Sequence, residues 1–365
     1  MSDQKTGVMV QARLIPFPSS ISPEARASLE RQLNQDGVPL NALYTMPSPD
    51  DHAGWMTVKA AAEGHYAAAV KGLAGTLHSG VETIRTGDTT IHIATPDSRT
   101  APGCAYLDFH GGALVFGGGD ACRALARMQA DRHGLLCYGV DYRMPPEHCY
   151  PAALDDAMAA YRHVLERHAP ACIVIGRRSA GGNLAAAMLL RAKHEGLPLP
   201  AGLVLLSPQV DLTESGDSFQ VNHMVDVVLP CSLMRNNELY AGGADLSHPY
   251  LSPLFGDLSN FPPIFLQSGT RDLFLSNTVR MHRALRRAGG RPSKVWKIRT
   301  SGSIWLPGPI IIAPASPHKW SGTPLNLRTF AAQSRRSRAW PTTSLRHSTR
   351  SRSCRGAASS LVASG

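Results

Sequence analysis

The stretch Ile173-Val174-Ile175-Gly176-Arg177-Arg178-Ser179-Ala180-Gly181-Gly182-Asn183 decides how this chain is read. Its β-branched residues predict a strand, and the small residues after Ser179 predict a helix that starts close against that strand. A serine at the apex of such a turn is a nucleophile elbow, which presents its hydroxyl at the end of the sheet. A serine at a helix start also serves as an N-cap, so the turn alone leaves both roles open. The helix N-terminus and the N–H of Ala180 would favour negative charge beside Ser179.

Upstream, Tyr106-Leu-Asp-Phe-His110-Gly111-Gly112-Ala113 is a hydrophobic strand running into His-Gly-Gly. Two glycines there let the backbone turn sharply and aim N–H groups at one spot, where they can stabilise an oxyanion; a plain glycine-rich turn is the other reading. Gly117-Gly118-Gly119 follows, without the Lys-Ser/Thr of a P-loop and without G-x-G-x-x-G spacing, so it gives only a weak hint of phosphate binding. Downstream, Asp272 in Gln267-Ser-Gly-Thr-Arg-Asp272-Leu-Phe-Leu lies just past a late apolar run, placed either to orient a histidine or to cap the next helix.

Between these motifs, short apolar runs alternate with helical patterns. Strands are expected at 91–94, 105–109, 135–140, 172–175, 203–206 and 264–267, with helices at 152–168, from the serine through 193, and at 278–288. The alternation predicts an α/β fold: a mostly parallel sheet with helices on both faces. Residues 1–80 read as helical and irregular, with helices opening at Pro23 and spanning 55–73, and are expected to form a cap. Residues 212–260 interrupt the alternation as a probable insertion near the site.

Together the motifs resemble the hormone-sensitive-lipase-like branch of the α/β-hydrolases, bacterial esterases with an HGG motif. Asp141-Tyr-Arg-Met-Pro-Pro-Glu147-His-Cys-Tyr-Pro151-Ala-Ala is similar to that family's DYRLAPEHPFPAA segment, and Leu206-Ser-Pro-Gln-Val-Asp211-Leu-Thr to its LSPWTDLT. The resemblance covers residues 80–296 and implies the α/β-hydrolase fold, hydrolysis of small carboxylic esters or lactones, and no cofactor or metal. It implies Ser179 as nucleophile, Asp272 as orienting acid, and the N–H groups of Gly111, Gly112 and Ala180 as oxyanion donors.

Two positions depart from the family pattern. The elbow carries Arg177 where G-x-S-x-G has glycine, and Arg178 replaces an acidic neighbour, so the turn is expected to be crowded or misaimed. The histidine expected about 30 residues after the aspartate is missing: residues 297–317 hold none, and the first candidate is His318, with His347 in the basic tail behind it. These departures carry an alternative, a crippled hydrolase that only binds ligands.

The charge points to the same place. The chain is 365 residues long with net charge +10, but residues 297–365 hold 11 Lys/Arg and no acid, leaving the first 296 at −1. A near-neutral body argues against a specific nucleic-acid-binding role, which needs a basic patch on a folded surface; the tail alone would support only nonspecific, salt-dependent binding. The tail is rich in Ser, Arg and Pro, a composition that buries little. It is what a shift of reading frame in a GC-rich gene would leave, with the native histidine-bearing end replaced. Seven scattered cysteines without C-x-x-C fit reduced thiols in the cytoplasm better than disulfides or a zinc site. No stretch reaches the roughly 20 apolar residues of a membrane span, and no secretory signal opens the chain.

Overall fold

The computed structural model describes residues 7–289 and the backbone of a last strand at 292–298; His318, His347 and the basic tail lie outside the described residues. Eight strands form one sheet in the order β1-β2-β4-β3-β5-β6-β7-β8. They are β1 (Gly80–Thr86), β2 (Thr89–Thr95), β3 (Ala105–Phe109), β4 (Leu136–Asp141), β5 (Ile173–Ser179), β6 (Gly202–Pro208), β7 (Ile264–Gly269) and β8 (Pro292–Ile298). The β1–β2 and β2–β4 pairs are antiparallel. All pairs from β4 to β8 are parallel.

Strand periodicity assigns the two faces. Leu107, Phe109, Ile173 and Ile175 point into the larger core, which α4 (Ala152–Leu165), α5 (Ala180–His194) and α8 (Leu275–Arg287) cover. Tyr106, Cys137 and Val174 point the other way, against α3 (Asp120–His133). A Cβ added to Gly139 would come within 2.7 Å of Ala126 Cβ, so glycine there lets α3 settle onto β4. The expected helices on both faces are present. Strand β1 gave no clear signal in sequence because its burial is low and broken along its length.

Before the sheet come α1 (Pro23–Glu30) and α2 (His52–Leu73). Ser22 caps α1 by accepting from Ala25 N–H at 3.2 Å, and Pro23 occupies the first turn. Trp55 of α2 is fully buried against Val115, in the loop after β3, and its indole N–H donates to Ser48 O at 2.9 Å. Arg271, in the loop after β7, donates to Pro16 O at 2.6 Å. The N-terminal region therefore packs on loops at the C-terminal edge of the sheet. Residues 212–260 contain α6 (Ser218–Val221) and α7 (Met234–Ala241), and they buttress the loop after β7.

Candidate active site

Parallel strands deliver their C-terminal ends to one edge of a sheet, and open α/β sheets bind ligands there. Strands β3, β5 and β7 end respectively in His110-Gly111-Gly112, in Ser179, and in the loop carrying Asp272.

Ser179 joins β5 to α5 with φ 56° and ψ −129°, a conformation that L side chains rarely adopt. Holding a non-glycine residue there costs about 1–3 kcal/mol, which the surrounding packing must supply. The glycines show how. A Cβ on Gly181 would collide with the Phe109 carbonyl oxygen, and one on Gly182 would lie 3.0 Å from Pro208 Cβ. Only glycines let α5 start hard against β3 and β6, and that close start forces the turn at Ser179.

Arg177 does not crowd the elbow, contrary to the expectation from sequence. Its side chain crosses to β3, where Nη1 donates to both carboxylate oxygens of Asp108 at 3.0 and 2.9 Å. The close approach on this strand falls one residue earlier, at Gly176, where a Cβ would strike the Val204 carbonyl. Burial lowers the Arg178 pKa to about 10, Arg177 pushes the same way, and Asp272 and Tyr66 act in opposition.

Beside the elbow, the His-Gly-Gly loop is also strained into shape. Gly112 has φ 123°, and a Cβ there would run into the Phe116 carbonyl; Ala113 and Leu114 follow with φ of 54° and 63°. A Cβ on Gly111 would sit 3.7 Å from Ser179 Cβ, which puts this loop in contact with the serine. His110 is buried, stacked on Tyr142 at 4.1 Å between ring centroids, and Tyr142 Oη donates to the His110 carbonyl at 2.9 Å. Its Nδ1 faces the Gly111 carbonyl at 2.9 Å, and burial pushes its pKa down to about 4. Gly117 N–H donates to Glu63 and Gly119 N–H to Asp141, so carboxylates of the chain already occupy the donors of the three-glycine run.

Asp272 is 1% exposed. Its Oδ1 accepts from Phe274 N–H at 2.8 Å, an Asx-type cap on the next helix. Its Oδ2 is buried and has no hydrogen-bond partner among the described residues. Burial raises its pKa to about 6, the charge of Asp226 adds to the rise, and the hydroxyls of Ser207 and Ser268 pull against it. Asp226 gave no signal in sequence. It accepts from Leu273 N–H at 2.9 Å and from Val228 N–H at 3.0 Å, and Asn222 donates to the Asp272 carbonyl at 2.8 Å. The stretch 212–260 thus fixes the aspartate loop. The structure sets Gly111 against Ser179, with Gly112 and Ala180 next to them in the chain and Asp272 just past the end of β7, two strands from β5; His318 is outside the described residues.

Comparison with known proteins agrees with this fold. A family model described as alpha/beta hydrolase fold matches residues 106–299. An acetyl-hydrolase of Streptomyces hygroscopicus is 35% identical over 198 residues, covering 54% of this chain and 64% of that protein. An esterase of Acinetobacter venetianus is 35% identical over 174 residues, covering 47% of this chain and 57% of that protein. The chain therefore spans about three fifths of the length of these curated relatives. Among solved structures, an esterase named E25 superposes with a TM-score of 0.73 at 31% identity, over 80% of this chain and 90% of that one. A hormone-sensitive lipase from a metagenome library superposes with a TM-score of 0.57 at 33% identity, over 69% of this chain and 89% of that one. The chain belongs to the α/β-hydrolase family, on its hormone-sensitive-lipase-like branch.

Proposed function

We propose that this chain hydrolyses small carboxylic esters or lactones by acyl transfer. The observation that carries the reading is Ser179 held at positive φ at the sheet edge, with Gly111 packed against it. Ser179 Oγ attacks the substrate carbonyl while an imidazole accepts its proton. The N–H groups of Gly111, Gly112 and Ala180 hold the tetrahedral oxyanion. The imidazolium returns the proton to the leaving alkoxide, and a water repeats the cycle to release the acid.

Asp272 Oδ2 is the acceptor that would orient this imidazole, and a buried carboxylate oxygen left without a partner is costly enough to argue for one. His318 is the candidate donor of the ring. Residues 1–80 act as a cap and 212–260 as an insertion, and together they limit the acyl group. The relatives' names, acetyl-hydrolase and esterase, support a short acyl chain.

The test is turnover of short-chain p-nitrophenyl esters by the full chain, beside labelling with a fluorophosphonate. Ser179→Ala is expected to abolish both. Unchanged turnover in that variant removes Ser179 from the mechanism. His318→Ala is expected to lower kcat by several orders of magnitude, and full activity in it excludes His318.

A further inference from the structure

A second cluster of reactive side chains sits behind the His-Gly-Gly loop. A ring nitrogen of His110, Cys122 Sγ and an Asp141 carboxylate oxygen all lie within 4.8 Å of one another. They come from the end of β3, the first turn of α3 and the end of β4. His92 of β2 joins them, its Nε2 3.4 Å from Asp141 Oδ2. Sequence spacing gives no sign of the group, because its four members come from four elements and no two form a motif.

The tautomers are what make the cluster informative. The Gly111 carbonyl can only accept, so His110 Nδ1 carries the hydrogen of their 2.9 Å contact, and Nε2 is a bare lone pair. That nitrogen is buried, on a residue 0% exposed, and has no hydrogen-bond partner among the described residues. His92 packs beside the group, with its Nδ1 2.9 Å from Thr83 Oγ1 and its Nε2 3.4 Å from Asp141 Oδ2. A second group that holds one ring nitrogen and leaves the other free is the arrangement that metal-ligating histidines show.

We propose that His92, His110, Cys122 and Asp141 form a binding site for a thiophilic divalent transition ion, with Zn²⁺ the best match. Two imidazoles, one thiolate and one carboxylate suit Zn²⁺, and hard ions such as Mg²⁺ or Ca²⁺ would reject the sulfur. Charge balances in the buried site: one thiolate and one carboxylate neutralise the ion. Cys122 is a protonated thiol until the ion arrives, since burial raises its pKa. As the S–Zn bond forms, the S–H proton leaves to solvent. Tetrahedral coordination brings donors to roughly 3.3–3.7 Å of one another, so His110, Cys122 and Asp141, within 4.8 Å here, draw together by up to about 1 Å, and His92 swings in beside the Asp141 carboxylate it already faces. Access runs through a solvent-open cleft lined by Lys59, Glu63, Gly118, Asp141 and Met144. Gly118 is pressed against this carboxylate; a Cβ there would lie 2.8 Å from Asp141 Oδ1. The site backs onto the oxyanion loop through His110, and its occupancy does not depend on whether the proposed ester chemistry occurs.

The test uses the full chain, stripped with a chelator under reducing conditions and titrated with Zn²⁺ by calorimetry and with Co²⁺ by absorption spectroscopy. One tight equivalent is expected, and the Co²⁺ form should show tetrahedral visible bands with a thiolate-to-metal charge-transfer band. Cys122→Ser should lose the charge-transfer band and weaken Zn²⁺ binding by about 100-fold or more. His92→Gln keeps the thiolate and should weaken binding by about 10-fold with the charge-transfer band retained, which keeps the test decisive if the serine variant misfolds. Cys231→Ser, far in sequence from the cluster, should bind as wild type. The proposal is overturned by no tight equivalent in the wild type, or by a charge-transfer band that survives Cys122→Ser and vanishes in Cys231→Ser.

Discussion

Asp108 and Asp272 are both withdrawn from water, at 0% and 1% exposed, and both sit at or just past the end of a central parallel strand. Arg177 satisfies both oxygens of Asp108 at 2.9–3.0 Å, so that carboxylate is closed to any other partner. Asp272 has one oxygen spent on Phe274 N–H and one left over among the described residues. Burial raises the pKa of each, and each meets a different answer: an arginine in one case, and a second carboxylate, Asp226, in the other. A carboxylate whose charge is fully compensated is part of the scaffold. One whose compensation is incomplete has an acceptor left for a further partner, since leaving it unpaired in the interior costs about 1–3 kcal/mol.

The sharpest way to break this contrast is Asp272→Asn. The amide keeps an oxygen for Phe274 N–H, so the loop and the fold should survive. It cannot hold an imidazole in the productive tautomer, so kcat for a p-nitrophenyl ester should fall by about 10⁴-fold in a chain that still folds cooperatively. Activity within tenfold of wild type would end the assignment of Asp272 as the orienting acid.

Asp108→Ala should give the opposite pattern. It strands the Arg177 guanidinium without a counter-charge, and losing one partner of a buried pair costs about 3–5 kcal/mol. Chemical denaturation should show that loss. Replacing both members, as Asp108→Leu with Arg177→Met, should restore stability to within about 1–2 kcal/mol of wild type or better, since an apolar pair of similar volume removes the desolvation cost. If the double variant is as unstable as the single one, the pair does more than offset its own burial.

The sequence made one half of this contrast legible. Asp272 stands out in sequence because a lone acid after a late strand follows, in chain order, a His-Gly-Gly turn and an elbow serine. The elbow itself was legible for the same reason: Gly181 and Gly182 are small where α5 must touch β3 and β6. Asp108 was passed over as one polar residue in an apolar strand, and Arg177 was read as an obstruction. Their pairing rests on β3 and β5 being neighbours, with Asp108 beside Gly176 in the parallel register, a relation between residues 69 apart that no local pattern carries. Asp226 was invisible too, since it acts through backbone N–H groups of a loop 47 residues away. The cluster around His110 follows the same rule: long-range polar pairing is where reading by periodicity stops.

The smallest effect concerns pH. Burial and Asp226 raise Asp272 from 3.8 to about 6 in the folded chain, so between these values the native state holds a proton that the unfolded chain releases. Stability must then fall as pH rises from about 4 to about 6, since the folded state binds more protons there, and the loss is complete above pH 6. Most buried carboxylates give the reverse slope, because their partners depress the pKa. The expected result is a downward step in the unfolding midpoint of the wild type across that window, following the rise below about pH 4 that lowered acids such as Asp257 produce. Asp272→Asn cannot titrate and should lack the step, while Asp108→Asn should keep it. A difference curve between wild type and Asp272→Asn that is flat from pH 4 to 7 would mean that Asp272 is compensated in the folded chain after all, and the distinction between the two carboxylates would collapse.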